Sequence, residues 1–133
     1  MATKAYPGNY DCHARALPHE PIFTVLAHDT LAPPLVSLWA AARAGETEAA
    51  HELLAELLAA GAAKGPPADP EKIREALQTA HAMRAFHDGR PYCRVCLCTE
   101  ESACPGGCSW ANRWRTICTN PVCVKAAHLA GEL

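Results

Sequence analysis

Seven of the eight cysteines in the sequence fall within one short stretch near the C-terminus. They follow the spacing C-x2-C-x-C-x5-C-x3-C-x9-C-x4-C, and they are Cys93, Cys96, Cys98, Cys104, Cys108, Cys118 and Cys123. Core packing does not explain this density, because a buried thiol behaves as a small hydrophobic group and gains nothing from neighbouring thiols. The two remaining explanations are disulfide bonds and metal binding.

Two closely spaced pairs of cysteines favour metal binding. Cys93 and Cys96 form a C-x2-C pair, and Cys118 and Cys123 form a second pair, so that two loops can present four thiolates to one tetrahedral zinc ion. The N-terminal residues lack the apolar core of a signal peptide, and no apolar run is long enough to span a membrane. We therefore expect a cytoplasmic protein with no membrane partner, whose thiols stay reduced and bind zinc rather than form disulfides.

The remaining cysteines predict a second metal site. Zinc takes four ligands in a closed structural site, and the candidates for a second site are Cys98, Cys104, Cys108 and His128. His87 or Cys12 is an alternative source of the fourth ligand. The sequence thus predicts one or two zinc ions, and an iron–sulfur cluster held by four of the thiolates is the alternative.

The acidic residues near these cysteines do not indicate catalysis. A catalytic zinc keeps one position open for water and has an acid or base beside it. Glu100 and Glu101 are the only acids between Cys93 and Cys123, and a solvated turn explains them. No His-x-Glu sequence of the zinc deaminases occurs. We therefore expect a structural metal and no enzymatic activity.

The charge distribution suggests a binding surface. The net charge of −2 argues against a strongly basic nucleic-acid binder, but the cysteine-rich region is locally basic. Arginines can contact phosphates and tryptophans can stack on bases, so the predicted nucleic-acid contacts are Arg94, Arg113, Arg115, Lys125, Trp110 and Trp114. Tryptophan covering the metal site is the structural alternative. A host or viral protein partner and self-association into a homo-oligomer also stay open, as does inhibition of a host defence factor by protein or small-molecule binding.

The elements that must position these residues are mostly helical. Ile22 to Ala27 is a short β-branched and aromatic run that predicts a strand, and three helical patterns follow, at about residues 30–45, 46–60 and 69–87. We expect Trp39 in the core, and the third helix to bury Ile73, Leu77, Ala80, Met83 and Phe86. The predicted fold is α+β and mostly α, with residues 1–88 as one domain and residues 89–133 as a zinc-stapled module that ends in a short helix.

Two stretches carry a resemblance to phage proteins. The N-terminal YDCHARALPHEPIFTVLAHDTLAPPLVSLWAAAR and the later CRVCLCTEESACPGGCSW resemble a family of small uncharacterised proteins from phages and prophages of actinobacteria and other high-GC hosts. That family usually has glycine after the second cysteine, where this chain has Leu97. The resemblance implies a viral or mobile-element origin, with the host cytoplasm as location, and no established activity.

A second, local resemblance begins at Cys118. CTNPVCVKAAHL is similar to the zinc segment of HNH-type nucleases, which implies that Cys118, Cys123 and His128 share one zinc ion with an upstream cysteine. The nuclease pattern has a catalytic histidine two residues before the first cysteine, where this chain has Thr116. The resemblance therefore suggests a zinc geometry without a general base, and a degenerate HNH-like nuclease is an alternative to the binding function.

Overall fold

The computed structural model describes residues 12–26, 28–63 and 69–133, without the side chains of residues 62 and 63. Within these ranges the regular structure consists of α1 (Cys12–Arg15), α2 (Ala32–Ala44), α3 (Thr47–Ala63), α4 (Pro70–His87) and α5 (Pro121–Ala130). The prediction of a mostly α-helical chain with a short C-terminal helix is confirmed. None of these helices is both long enough and apolar enough to cross a membrane.

The strand expected at residues 22–27 is not found. Residues 22–26 have no regular structure, and residue 27 lies outside the described ranges. A strand needs a neighbour to receive its backbone hydrogen bonds. The β pairing within the described residues is a single bridge between Trp110 and Cys118, far along the chain. Among the described residues, the segment 22–26 therefore has no neighbouring strand with which to pair, despite its β-branched composition.

Contacts divide the chain into two units. One unit contains residues 12–23 together with residues 71–133, and the other contains residues 24–70. The division groups nearly all of α4 with the cysteine-rich region. That a boundary at residues 88–89 separates two independently folding domains stays a prediction.

The unit of residues 24–70 is a helical hairpin of α2 and α3. Two prolines lie in the first turn of α2, where backbone N–H groups have no acceptor within the helix. Gly45 ends this helix with φ 78°, a left-handed conformation that glycine adopts without strain, and its N–H donates to carbonyls of the last turn. Trp39 is 64% exposed, so the expectation that it lies in the core is wrong. A two-helix hairpin has one contact face, and Trp39 lies outside it.

In the other unit, α4 buries alanine and uncharged polar side chains rather than large apolar ones. Its buried side chains are those of Gln78, Thr79, Ala82 and Ala85, whereas Leu77 is 58% exposed. The predicted apolar stripe is therefore rotated from the observed one. At the C-terminal end of α4, Arg90 N–H donates to the Ala85 carbonyl at 2.7 Å, a backbone bond that satisfies a carbonyl of the last turn.

Aromatic contacts complete this unit. The rings of Phe86 and Tyr92 meet edge-to-face with centroids 6.4 Å apart. The Tyr92 hydroxyl donates a hydrogen bond to the His19 carbonyl at 2.6 Å, which connects the segment after α1 to the cysteine-rich region. Tyr92 thus contacts both the end of α4 and a segment that is distant in sequence.

The rotated face of α4 makes a testable prediction. Ala82→Leu should lower the free energy of unfolding by about 1–3 kcal/mol, because the added atoms have no space at a fully buried position. Leu77→Ala removes a mostly exposed side chain and should change it by about 0.5 kcal/mol or less. Urea denaturation of the metal-loaded protein measures both values. A larger loss for Leu77→Ala would mean that the stripe expected from the sequence is the buried one.

Candidate metal centre

The first pair of cysteines lies on a tight backbone loop. Cys93 N–H donates to the Cys98 carbonyl, and Leu97 N–H donates to the Cys93 carbonyl, both at 2.8 Å. To close this loop, Leu97 adopts φ 63°, in the left-handed region that glycine prefers. The loop turns Cys93, Cys96 and Cys98 toward one another.

A second loop carries Cys104 and Cys108. Gly106 and Gly107 both have positive φ, 84° and 86°, and Gly107 N–H donates to the Cys104 carbonyl at 2.8 Å. Cys104 N–H points at the Cys108 sulfur, with nitrogen and sulfur 3.4 Å apart. The two consecutive glycines thus reverse the chain so that both sulfurs face the same side.

A short antiparallel ribbon brings Cys118 back to the first loop. Ala111 N–H donates to the Ile117 carbonyl and Thr119 N–H to the Ser109 carbonyl, each at 2.8 Å. Beyond the ribbon, Arg94 N–H donates to the Thr116 carbonyl at 2.9 Å. Cys118 N–H points at the Cys93 sulfur, with nitrogen and sulfur 3.4 Å apart. The ribbon is therefore hydrogen-bonded to the Cys93–Cys98 loop.

Cys123 enters the same region from α5. The Asn120 side chain accepts a hydrogen bond from Val122 N–H at 2.9 Å, and Pro121 occupies the first turn, so this helix has a strong N-terminal cap. Cys123 and Ala127 lie one turn apart and are both buried. They pack in a core cluster with Ile117 and the other buried cysteines.

The sulfur atoms lie close enough to share a metal ion. Four distances between sulfurs fall between 3.6 and 3.9 Å: Cys96–Cys104, Cys96–Cys118, Cys98–Cys108 and Cys104–Cys118. Four sulfurs about 2.3 Å from a tetrahedral zinc ion lie about 3.8 Å from one another. A disulfide needs about 2.05 Å, and the cysteines are free thiols. The cluster could therefore hold a metal ion.

Within the described residues, two groups of four ligand atoms that together include six cysteines have all their sulfurs within 4.8 Å of one another. The first contains Cys93, Cys96, Cys98 and Cys118, and the second contains Cys98, Cys104, Cys108 and Cys118. Three members of the first group match the site predicted from the paired cysteines. The sequence prediction missed that Cys98 also approaches this group, since the C-x-C spacing of Cys96 and Cys98 alone does not tell on which side of the loop a sulfur lies.

The other predicted ligands differ in their surroundings. Cys123 belongs to neither group of four but is buried against the cluster. His128, His87 and Cys12 are all exposed and belong to neither group. That any of these four residues binds the metal stays a prediction.

Proximity of the sulfurs perturbs their protonation. The hydrogen bond with Cys96 lowers the pKa of Cys93 to about 4 and raises the pKa of Cys96. Burial raises the pKa of Cys118 to about 12, and it also raises the pKa of Cys98 and Cys123. The metal-free cluster therefore mixes thiolates with thiols at neutral pH. Because a metal ligand must be a thiolate, metal binding releases protons from the cluster.

No family model matches the sequence, and neither a curated protein nor a solved structure is significantly similar to the chain.

The backbone at Leu97 gives a testable prediction for this site. Leu97→Gly should have a higher free energy of unfolding than Leu97→Ala, by about 1 kcal/mol, because glycine adopts the left-handed conformation without a Cβ clash. Both variants lose the same leucine side chain beyond Cβ, so their difference reports the backbone. Denaturation of the metal-loaded variants measures it.

Val95 provides the matched control, since it lies in the same loop and its φ is not positive. There the order should be reversed, with Val95→Ala more stable than Val95→Gly. If Leu97→Ala is as stable as Leu97→Gly or more stable, Leu97 does not adopt the left-handed backbone conformation.

Proposed function

We propose that the chain is a small zinc-binding protein of phage or prophage origin, in which structural zinc fixes a surface that binds single-stranded nucleic acid. The surface, called here the Arg–Trp surface, comprises Arg94, Trp110, Arg113, Trp114 and Arg115. The protein acts in the cytoplasm, where its thiols stay reduced and available to the metal. The observation that carries the proposal is an exposed tryptophan and arginine pair on a turn that the cysteine cluster anchors.

The choice of zinc rests on the donor set and on the neighbouring charges. Closely spaced thiolates presented by short loops are typical of structural zinc sites. The two acids of the region are engaged elsewhere, because Glu100 forms an ion pair with Arg115 and Glu101 forms one with Arg90. Neither carboxylate is left to act as a base on a metal-bound water. This supports a structural role for the metal rather than a catalytic one.

The turn at residues 112–116 argues against nuclease activity. Thr116 stands where the HNH-type pattern has its catalytic histidine. Its hydroxyl accepts a hydrogen bond from the Asn112 amide at 2.9 Å, and its N–H donates to the Asn112 side-chain oxygen at 3.0 Å. Thr116 therefore stabilises the turn and supplies no general base.

The Arg–Trp surface combines stacking groups with cations. Trp114 is 68% exposed, and the Arg113 guanidinium lies 4.3 Å from its ring centroid. The Arg115 guanidinium lies 5.7 Å from the centroid of Trp110. Exposed aromatic rings flanked by arginines are the groups on which bases of single-stranded nucleic acid stack while the phosphates meet the cations.

Arg94 adds a further cation to this surface. Its N–H is hydrogen-bonded to the Thr116 carbonyl, so Arg94 lies beside the turn although it is distant in sequence. In the part of the chain that the structure describes, neither Arg94 nor Arg113 forms an ion pair with a carboxylate. Both are available to phosphates. Lys125 is exposed on α5, and its contact with nucleic acid stays a prediction.

A protein partner is the second candidate. The α2–α3 hairpin exposes Val36, Trp39 and Leu58, with Leu58 66% exposed. Exposed apolar side chains of this size are typical of contact surfaces for another protein, whether a host factor, a viral protein or a second copy of the chain. Binding through this hairpin would be insensitive to changes in the Arg–Trp surface.

The metal can be identified on protein purified without added metal. Elemental analysis should find zinc, at one or two equivalents per chain, and the protein should be colourless because zinc has no visible transitions. Cys12→Ser, which changes an exposed cysteine outside the cluster, should retain the same zinc content. Iron together with inorganic sulfide and a brown colour would show that the cysteines hold an iron–sulfur cluster and not zinc.

Nucleic-acid binding can be tested with a fluorescent single-stranded oligonucleotide. Arg94→Ala combined with Arg113→Ala should weaken binding by about tenfold or more, because two phosphate contacts are lost without leaving a carboxylate unpaired. The slope of log K against log salt should become shallower by about 1.4, at about 0.7 per phosphate on single strands.

The matched control combines Arg43→Ala with Arg84→Ala, two exposed arginines on helices outside the surface, and changes the net charge equally. It should leave the affinity nearly unchanged. Equal losses for the two double variants, or no binding by the unaltered protein, would contradict a nucleic-acid function and favour the protein partner.

A further inference from the structure

The sulfur of Cys118 occupies the centre of the cysteine cluster. It lies 3.7 Å from the Cys96 sulfur and 3.9 Å from the Cys104 sulfur. It also lies within 4.8 Å of the Cys98 sulfur. Cys118 therefore lies close to sulfurs from both the first loop and the second loop. The position of the Cys118 sulfur therefore allows it to share a metal ion with the cysteines of either loop.

The two groups of ligand atoms overlap at this residue. Cys118 and Cys98 are members of both groups, Cys93 and Cys96 belong to the first, and Cys104 and Cys108 belong to the second. The Cys96 and Cys104 sulfurs lie 3.6 Å apart, so the two groups adjoin each other there as well. Two separate tetrahedral sites would divide the sulfurs into sets with no common member. Overlapping sets are the arrangement expected when two ions lie side by side and share sulfur.

A count of ligands leads to the same arrangement. Two tetrahedral ions need eight ligand positions, and the cluster has seven cysteines. His128 is the nearest histidine in sequence, but it is exposed and belongs to neither group. A thiolate sulfur has several lone pairs and can bind two cations at once. One shared sulfur makes the count complete without any histidine.

We propose that the cluster binds two metal ions joined by the Cys118 sulfur as a bridging ligand, an inference that rests on the zinc-binding function proposed above. One ion is bound on the side of Cys93 and Cys96, and the other on the side of Cys104 and Cys108. Cys98 completes the ligand set of the second ion. The count of ligands then assigns Cys123, which is buried against the cluster, to the first ion.

Backbone N–H groups support terminal thiolates on both sides of Cys118. Cys118 N–H points at the Cys93 sulfur and Cys104 N–H at the Cys108 sulfur, each at 3.4 Å. Seven thiolates carry more negative charge than two divalent ions neutralise, and N–H donors stabilise the excess. Each proposed site therefore contains one sulfur, that of Cys93 or of Cys108, at which a backbone N–H points.

Cadmium, which takes the same thiolate ligands as zinc, provides the test. The full chain is loaded with an NMR-active cadmium isotope. Two cadmium signals should appear, each split by the other, because spin coupling between the metals passes through a shared sulfur. Elemental analysis should give two ions per chain.

Single variants assign the bridge. Cys118→Ser should weaken the binding of both ions, by about tenfold or more in competition with a chromophoric chelator. Cys93→Ser should weaken the binding of one ion, Cys108→Ser that of the other, and Cys12→Ser that of neither. If Cys118→Ser does not fold, the coupling between the two cadmium signals of the unaltered chain still shows whether the two ions share a sulfur.

Other outcomes separate this proposal from the function on which it rests. Two cadmium signals without coupling, or a single bound ion, would overturn the bridge and leave a zinc-binding protein. A chain that binds no ion would overturn both proposals. Retention of both ions in Cys123→Ser would overturn the assignment of Cys123 and favour Cys98 as a second bridge.

Discussion

The structure of the C-terminal region depends on holding seven cysteine sulfurs against one another. Among the described residues, Ile117 is the only buried branched aliphatic side chain, and the other large contributors to its core cluster are cysteines. Thiol packing contributes little more than any small apolar group. A region of about 40 residues cannot usually fold on so little apolar burial, and the proposed metal–thiolate bonds would provide the missing free energy. The proposed metal would then take the place of a hydrophobic core.

The backbone of this region follows from that constraint. Leu97 and Arg115 adopt positive φ, which costs a residue with a Cβ about 1 kcal/mol or more, and both lie at turns that return the chain to the sulfurs. The same turns leave Trp114 at the surface, because the ribbon that carries Cys118 inward places its own tip outward. The proposed binding surface is thus a consequence of how the cysteines are positioned.

Sequence patterns predicted the helices and the cysteine cluster better than they predicted which side chains are buried. Proline at the start and glycine at the end marked α2 closely, since these residues act through local backbone geometry. The α4 stripe was wrong, because periodicity favours large apolar residues, whereas the buried face of the helix consists of Gln78, Thr79, Ala82 and Ala85. Spacing identified Cys93, Cys96 and Cys118 as neighbours. It could not predict that Cys98 and Cys118 each approach two groups of sulfurs, since loop conformation decides that.

The central claim is that bound metal, and not side-chain packing, holds residues 93–123 in their fold. Amide NMR spectra of the reduced protein, recorded with zinc and again after a strong chelator has removed it, test this most directly. The account predicts that amide signals of this region, such as those of Arg94, Cys118 and Thr119, collapse to unfolded positions without metal and return when zinc is added. Dispersed, unchanged signals from these amides in metal-free, reduced protein would contradict it.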